Sequence, residues 1–74
     1  LPVTAAAADY RPGDLVSWKL PSGLDHIGVV SAARRGARPL VVHNIGAGAR
    51  EEDVLFAWPL TGHYRWFAAN GAAR

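Results

Sequence analysis

The sequence predicts a mainly β chain, a small curled antiparallel sheet of four to six short strands tending toward a barrel, with almost no helix. Three observations lead there. Short apolar runs rich in β-branched residues recur at 15–20, 26–32 and 39–45, with Pro, Gly or Asn at their boundaries. In the first run Val16, Trp18 and Leu20 alternate with Leu15, Ser17 and Lys19, the two-residue period of a half-buried strand. No segment shows the apolar period and cap of a helix.

Residues 1–9 are alanine-rich without period or cap and read as a linker. Tyr10-Arg11-Pro12-Gly13-Asp14 is a turn, because Pro presets φ and Gly accepts a positive φ. The first strand follows, and Pro21-Ser22-Gly23 ends it. Residues 26–32 and 39–45 are the arms of a hairpin whose polar turn is Arg34-Arg35-Gly36. Gly46-Ala47-Gly48-Ala49 is a flexible loop, and Arg50-Glu51-Glu52-Asp53 a charged, exposed one. Val54-Leu55-Phe56 is read as a short strand in preference to a single helical turn, and Trp58-Pro59 breaks it. His63-Tyr64-Arg65-Trp66-Phe67 alternates and closes the sheet. The sheet half-domain is therefore 10–67, and 68–74 is a loose tail.

With 74 residues, half of them hydrophobic and three of them Trp, the chain has material for one packed unit. A unit of this size hides only about 60% of its unfolded surface, which makes it marginal alone. The formal charge of +2, eight Lys and Arg against six Asp and Glu, with no basic stripe on any element, gives no footprint for nucleic acid. No run reaches the roughly 18 apolar residues of a membrane span. Residues 1–8 have the small residues of a signal cleavage region but neither its basic start nor its apolar core. The absence of Cys removes disulfides, thiolate metal sites and a thiol nucleophile. The spacings of His26, His43 and His63 match no short zinc motif, and Gly46-Ala47-Gly48 lacks the rest of a phosphate loop, so neither metal nor cofactor is expected. Arg34, Arg35 and Arg38 read as a solvated hairpin tip.

Two runs each carry a histidine at one end, so neighbouring strands can bring two imidazoles to one sheet edge. A neutral imidazole can take a proton from a nucleophile and return it to a leaving group, which makes His26 the candidate base. Gly28 shares its face and leaves space for a substrate or a packed helix, and Trp18 is a candidate substrate contact among the aromatics. The competing reading of His26 and Gly28 is a surface His beside a bulge. A catalytic imidazole works best when its second nitrogen is held, and His43 and Asn44 both offer that. Adjacent residues point to opposite faces, so only one of them can meet His26; Asn44 can equally open a turn.

Taken together, Tyr10-Arg11-Pro12-Gly13-Asp14-Leu15-Val16-Ser17-Trp18, His26-Ile27-Gly28-Val29-Val30, Val42-His43-Asn44-Ile45-Gly46, Glu51-Glu52-Asp53-Val54-Leu55-Phe56-Ala57-Trp58 and Thr61-Gly62-His63-Tyr64 resemble the C-terminal half of the bacterial domain-of-unknown-function 1287 family. Singly, the first two motifs are also similar to the NlpC-type papain-like superfamily of cell-wall cysteine peptidases. The resemblance implies the sheet half of a papain-like α+β fold and an active site of Cys, His and a third polar residue. His26 matches the base, and His43, with Asn44 as competitor, the orienting residue. It further implies an exported hydrolase of amide bonds in peptidoglycan-type peptides, whose Cys lies at a helix start in an N-terminal half not contained in these residues. On this reading the chain alone is inactive, and one sheet face is an exposed apolar patch drawn from Val16, Trp18, Val30 or Val42. The alternative is a non-catalytic SH3-like module that binds peptide or cell-wall ligands on its Trp and Tyr residues.

Overall fold

In the computed structural model, which describes residues 1–44, 46 and 48–66, five antiparallel strands form one unclosed sheet. The strands are β1 (Leu15–Lys19), β2 (Asp25–Arg35), β3 (Arg38–Asn44), β4 (Ala49–Glu52) and β5 (Leu60–Tyr64), in the spatial order β4-β3-β2-β1-β5. Among the described residues, helix is limited to one 3-10 turn, Ala7–Asp9. The mainly β expectation is met, and the sheet runs from β4 to β5 without closing into a barrel.

The long β2–β3 hairpin closes on Gly36-Ala37, with Arg35 opposite Arg38. Gly36 has φ +59° and Ala37 is not left-handed, the pattern of a tight hairpin turn with Gly at its first central position. Alternation then sorts the side chains. Val16 and Trp18 of β1, Val30 of β2 and Val41 of β3 lie on one face, fully buried with Tyr10 and Leu55, and Val54, Trp58 and Leu60 pack against them. The Trp18 indole N–H donates to the Leu55 carbonyl at 2.9 Å, so the large ring buries without an unpaired polar group.

Several elements differ from expectation. Arg50-Glu51-Glu52-Asp53 is not a free loop: its first three residues belong to edge strand β4, paired with β3 through Val42↔Glu51 and His43↔Arg50. Charged residues suit an edge that must not recruit another strand. Val54-Leu55-Phe56 is a turn, closed by Ala57 N–H donating to Val54 O at 3.0 Å, which drops Leu55 into the core. The closing strand starts at Leu60 and stops at Tyr64, short of the expected His63 to Phe67 run. Trp66 is 85% exposed, while Phe67 and the expected tail 68–74 lie outside the described residues. The segment read as a linker is fastened to the sheet: the Tyr10 hydroxyl donates to Thr4 O at 2.8 Å and accepts from Thr4 N–H at 3.0 Å.

Val16, Trp18 and Val30, named as candidates for an exposed patch, are buried because the segments around Tyr10 and Leu55 cover their face. The apolar exposure is on the other face. There Val42, Val29, Leu15 and Tyr64 are successive cross-strand partners from β3 to β5, 37%, 41%, 44% and 56% exposed, with Ile27 beside them.

Candidate functional site

The register places His43 directly opposite Gly28, which sets His26 diagonally across from it on the same face. That diagonal lets the rings meet: His26 Nε2 lies 2.9 Å from His43 Nδ1, with ring planes 80° apart. Beneath them Trp18 stacks on His26 at 5.5 Å between centroids, and the Trp58 ring stands edge-on to both imidazoles. His43 is buried, whereas His26 is half-exposed and lines a depression of about 320 Å3 with Leu20, Leu24, Asp25, Asn44 and Trp58.

The second nitrogen of His43 has a partner as well. Its Nε2 is 2.7 Å from Oε1 of Glu52, on the neighbouring strand β4. A carboxylate only accepts hydrogen bonds, so His43 carries its proton on Nε2 when neutral, and its Nδ1 is left as an acceptor. His26 then donates from Nε2 into that Nδ1, and its own Nδ1 holds a lone pair. No hydrogen-bond partner meets the Nδ1 of His26 among the described residues. The arrangement is a directed chain, Glu52 to His43 to His26, and His26 lines the depression.

Of the residues singled out from sequence, the structure brings His26 and His43 into hydrogen-bond contact, while Asn44 lines the same depression and, among the described residues, bonds to neither. Asn44 is exposed, and its Oδ1 accepts from Gly46 N–H at 2.9 Å, which is the turn-opening role. Asp25 pairs with Lys19 at 2.7 Å. Trp18 and Gly28 were expected to touch substrate, but both are buried. A Cβ at Gly28 would lie 2.5 Å from Val41 Cγ1 and 2.7 Å from Trp18 Cη2, so the missing side chain makes room for the indole that supports His26. Arg38 at the hairpin tip is not merely solvated: it forms a two-pronged pair with Asp53, at 3.0 and 2.7 Å.

Sequence reading missed two groups. Glu52 was hidden in a charged run with none of the β-branched residues that mark a strand. The other is a buried cluster at the β5 end of the same covered face. Asp14 accepts from His63 Nε2 at 2.6 Å, from Arg65 at 2.8 and 2.7 Å and from Arg11 N–H at 3.0 Å, while the His63 ring stacks on Tyr10 at 4.2 Å. Burial pushes the Asp14 carboxyl up, but the Arg65 hydrogen bonds, the Arg11 amide and the His63 contact outweigh it and hold the group well below the usual carboxylate range. This cluster ties the start of β1 to the end of β5.

The chain thus presents a small open β-sheet with a two-histidine, one-carboxylate chain on its covered face. The chain belongs to the DUF1287 family, a domain of unknown function, which it matches over residues 1–66. It is 60% identical over 67 residues to a protein of Escherichia coli (strain K12) that carries the name Uncharacterized protein YijF. That match takes in 89% of this chain and 33% of the E. coli protein, so the chain spans about a third of its relative's length. No solved structure matches the chain significantly. Among the described residues no helix is long and apolar enough to cross a membrane.

Proposed function

We propose that this chain is the base-carrying β half of an NlpC-type, papain-like cysteine hydrolase that cleaves amide bonds in peptidoglycan-type peptides outside the cytoplasmic membrane. One observation carries the reading: the His26–His43 bond uses Nε2 of His26 and leaves its Nδ1 without a hydrogen-bond partner among the described residues. The nucleophile comes from the N-terminal part of the longer polypeptide, since this chain has no Cys. Two facts support a larger partner: the chain matches a third of its relative, and the sheet's second face is apolar and exposed.

In the proposed reaction the Nδ1 of His26 takes the thiol proton and the thiolate attacks the amide carbonyl carbon. The C–N bond breaks as His26 returns the proton to the leaving amine. Water, deprotonated by the same nitrogen, then cleaves the thioester and regenerates the thiol. Asn44, set aside by its turn contact, has no part in these steps. Of the Trp and Tyr residues on which the binding-module alternative rests, Trp18 has no exposed surface, while Tyr64 and Trp66 are exposed.

The test is amide hydrolysis of a peptidoglycan stem peptide by the full-length gene product. Turnover is expected to be blocked by thiol alkylation, absent from the 74-residue chain, and reduced about 10²- to 10⁴-fold by His26→Ala. Turnover that survives His26→Ala would overturn the assignment.

A further inference from the structure

Resting on the reading of His26 as the base, we propose that Glu52 is a positioning residue that sets which nitrogen of His26 is basic. Two neutral imidazoles joined Nε2 to Nδ1 can exist in either of two directions, with the bridging proton on His26 Nε2 or on His43 Nδ1. In the second direction His26 carries its remaining proton on Nδ1, and the nitrogen aimed away from His43 can no longer accept one. The two rings alone do not decide between the directions.

Glu52 decides. Its Oε1 at 2.7 Å from His43 Nε2 demands a proton on that nitrogen, which sends the bridging proton to His26 Nε2 and frees His26 Nδ1. When His26 takes up a proton during turnover, the carboxylate at the far end of the chain also offsets the new charge. The location fits this role. Glu52 sits opposite Val41 on edge strand β4 with its side chain 39% exposed, so it fills no core space and contributes little to packing. His43, by contrast, is buried between β2 and β4 and has no second carboxylate within reach of Nε2 among the described residues.

The experiment reads proton positions rather than turnover. Long-range ¹H–¹⁵N spectra of the 74-residue chain, at a pH where both rings are neutral, report the tautomers of His26 and His43. Both rings are expected to carry the proton on Nε2. Glu52→Gln, whose amide can donate as well as accept, is expected to give a mixture. Glu52→Lys, which can only donate, is expected to move the proton to Nδ1 on both rings. Wild-type His43 protonated on Nδ1, or tautomers unchanged across the three proteins, would overturn the proposal. In the full-length protein Glu52→Gln is expected to lower kcat about tenfold or more at constant KM, since it changes the fraction of competent base and not substrate contact. These tautomer results stand whether or not amide turnover is found, so failure of this proposal and failure of the hydrolase reading are separate outcomes.

Discussion

Asp14 gives up nearly all of its hydration and recovers it as four directed hydrogen bonds from Arg65, His63 and the Arg11 amide. Such a carboxylate stabilises the fold only while ionised, because each partner is a donor. Its folded pKa lies below its unfolded value of about 3.9, so the contribution is complete above that pH and fades as the pH falls through the folded value. Asp14→Asn leaves Arg65 and His63 facing a weaker, part-donor amide. We expect a loss of about 3 kcal/mol in urea unfolding at pH 6 and a smaller difference from wild type at pH 2. An equal gap at both pH values would mean that the charge of Asp14 is not what the fold uses. At this scale the sequence was legible for His26, which the alternation of β2 places on a known face. It was silent on Asp14, since a buried Asp beside Pro12-Gly13 has the same local signature as any turn Asp.

At the scale of the strand, Gly28 is where β2 gives way to its neighbours. Trp18 and Val41 occupy the space a side chain would take, and Trp18 in turn supports the His26 ring. Gly28→Ala is expected to cost about 1–3 kcal/mol by overpacking and to shift the Trp18 fluorescence, because the indole and Val41 are the groups the new methyl would displace. An unchanged urea midpoint and spectrum would show that the sheet absorbs the methyl group elsewhere. Strands with their own period were readable in this way: β1, β2 and β3 lie where alternating and β-branched runs put them, within a few residues. β4 was not, because Ala49–Glu52 becomes a strand through pairing with β3 and has no propensity of its own. The relay from Glu52 depends on that pairing, so the candidate site was only two-thirds visible before the register was known. The Val54-Leu55-Phe56 segment failed for the opposite reason, since a single buried Leu at a turn looks like a strand when its partners are distant.

At the scale of the molecule, the two faces of the sheet have different owners. One is covered by this chain's own segments around Tyr10 and Leu55. The other presents Val42, Val29, Leu15 and Tyr64 in one line across four strands, with Ile27 alongside, and none of the described residues covers it. Apolar area gathered in one patch, rather than scattered singly, marks a surface that meets another. Two-thirds of the E. coli relative's length lies outside the match, enough chain to provide such a cover. The 74-residue chain is therefore expected to bind a hydrophobic dye and to sediment above its 7.9 kDa mass, and Val29→Lys, at the centre of the patch, is expected to suppress both while the tautomers of His26 and His43 stay as they are. In the full-length protein the same face is expected to be protected from solvent, so dye binding there is lost without any substitution. A well-folded 74-residue monomer that ignores the dye would mean that this face is content in water, and the half-domain reading would lose the support it draws from the sheet.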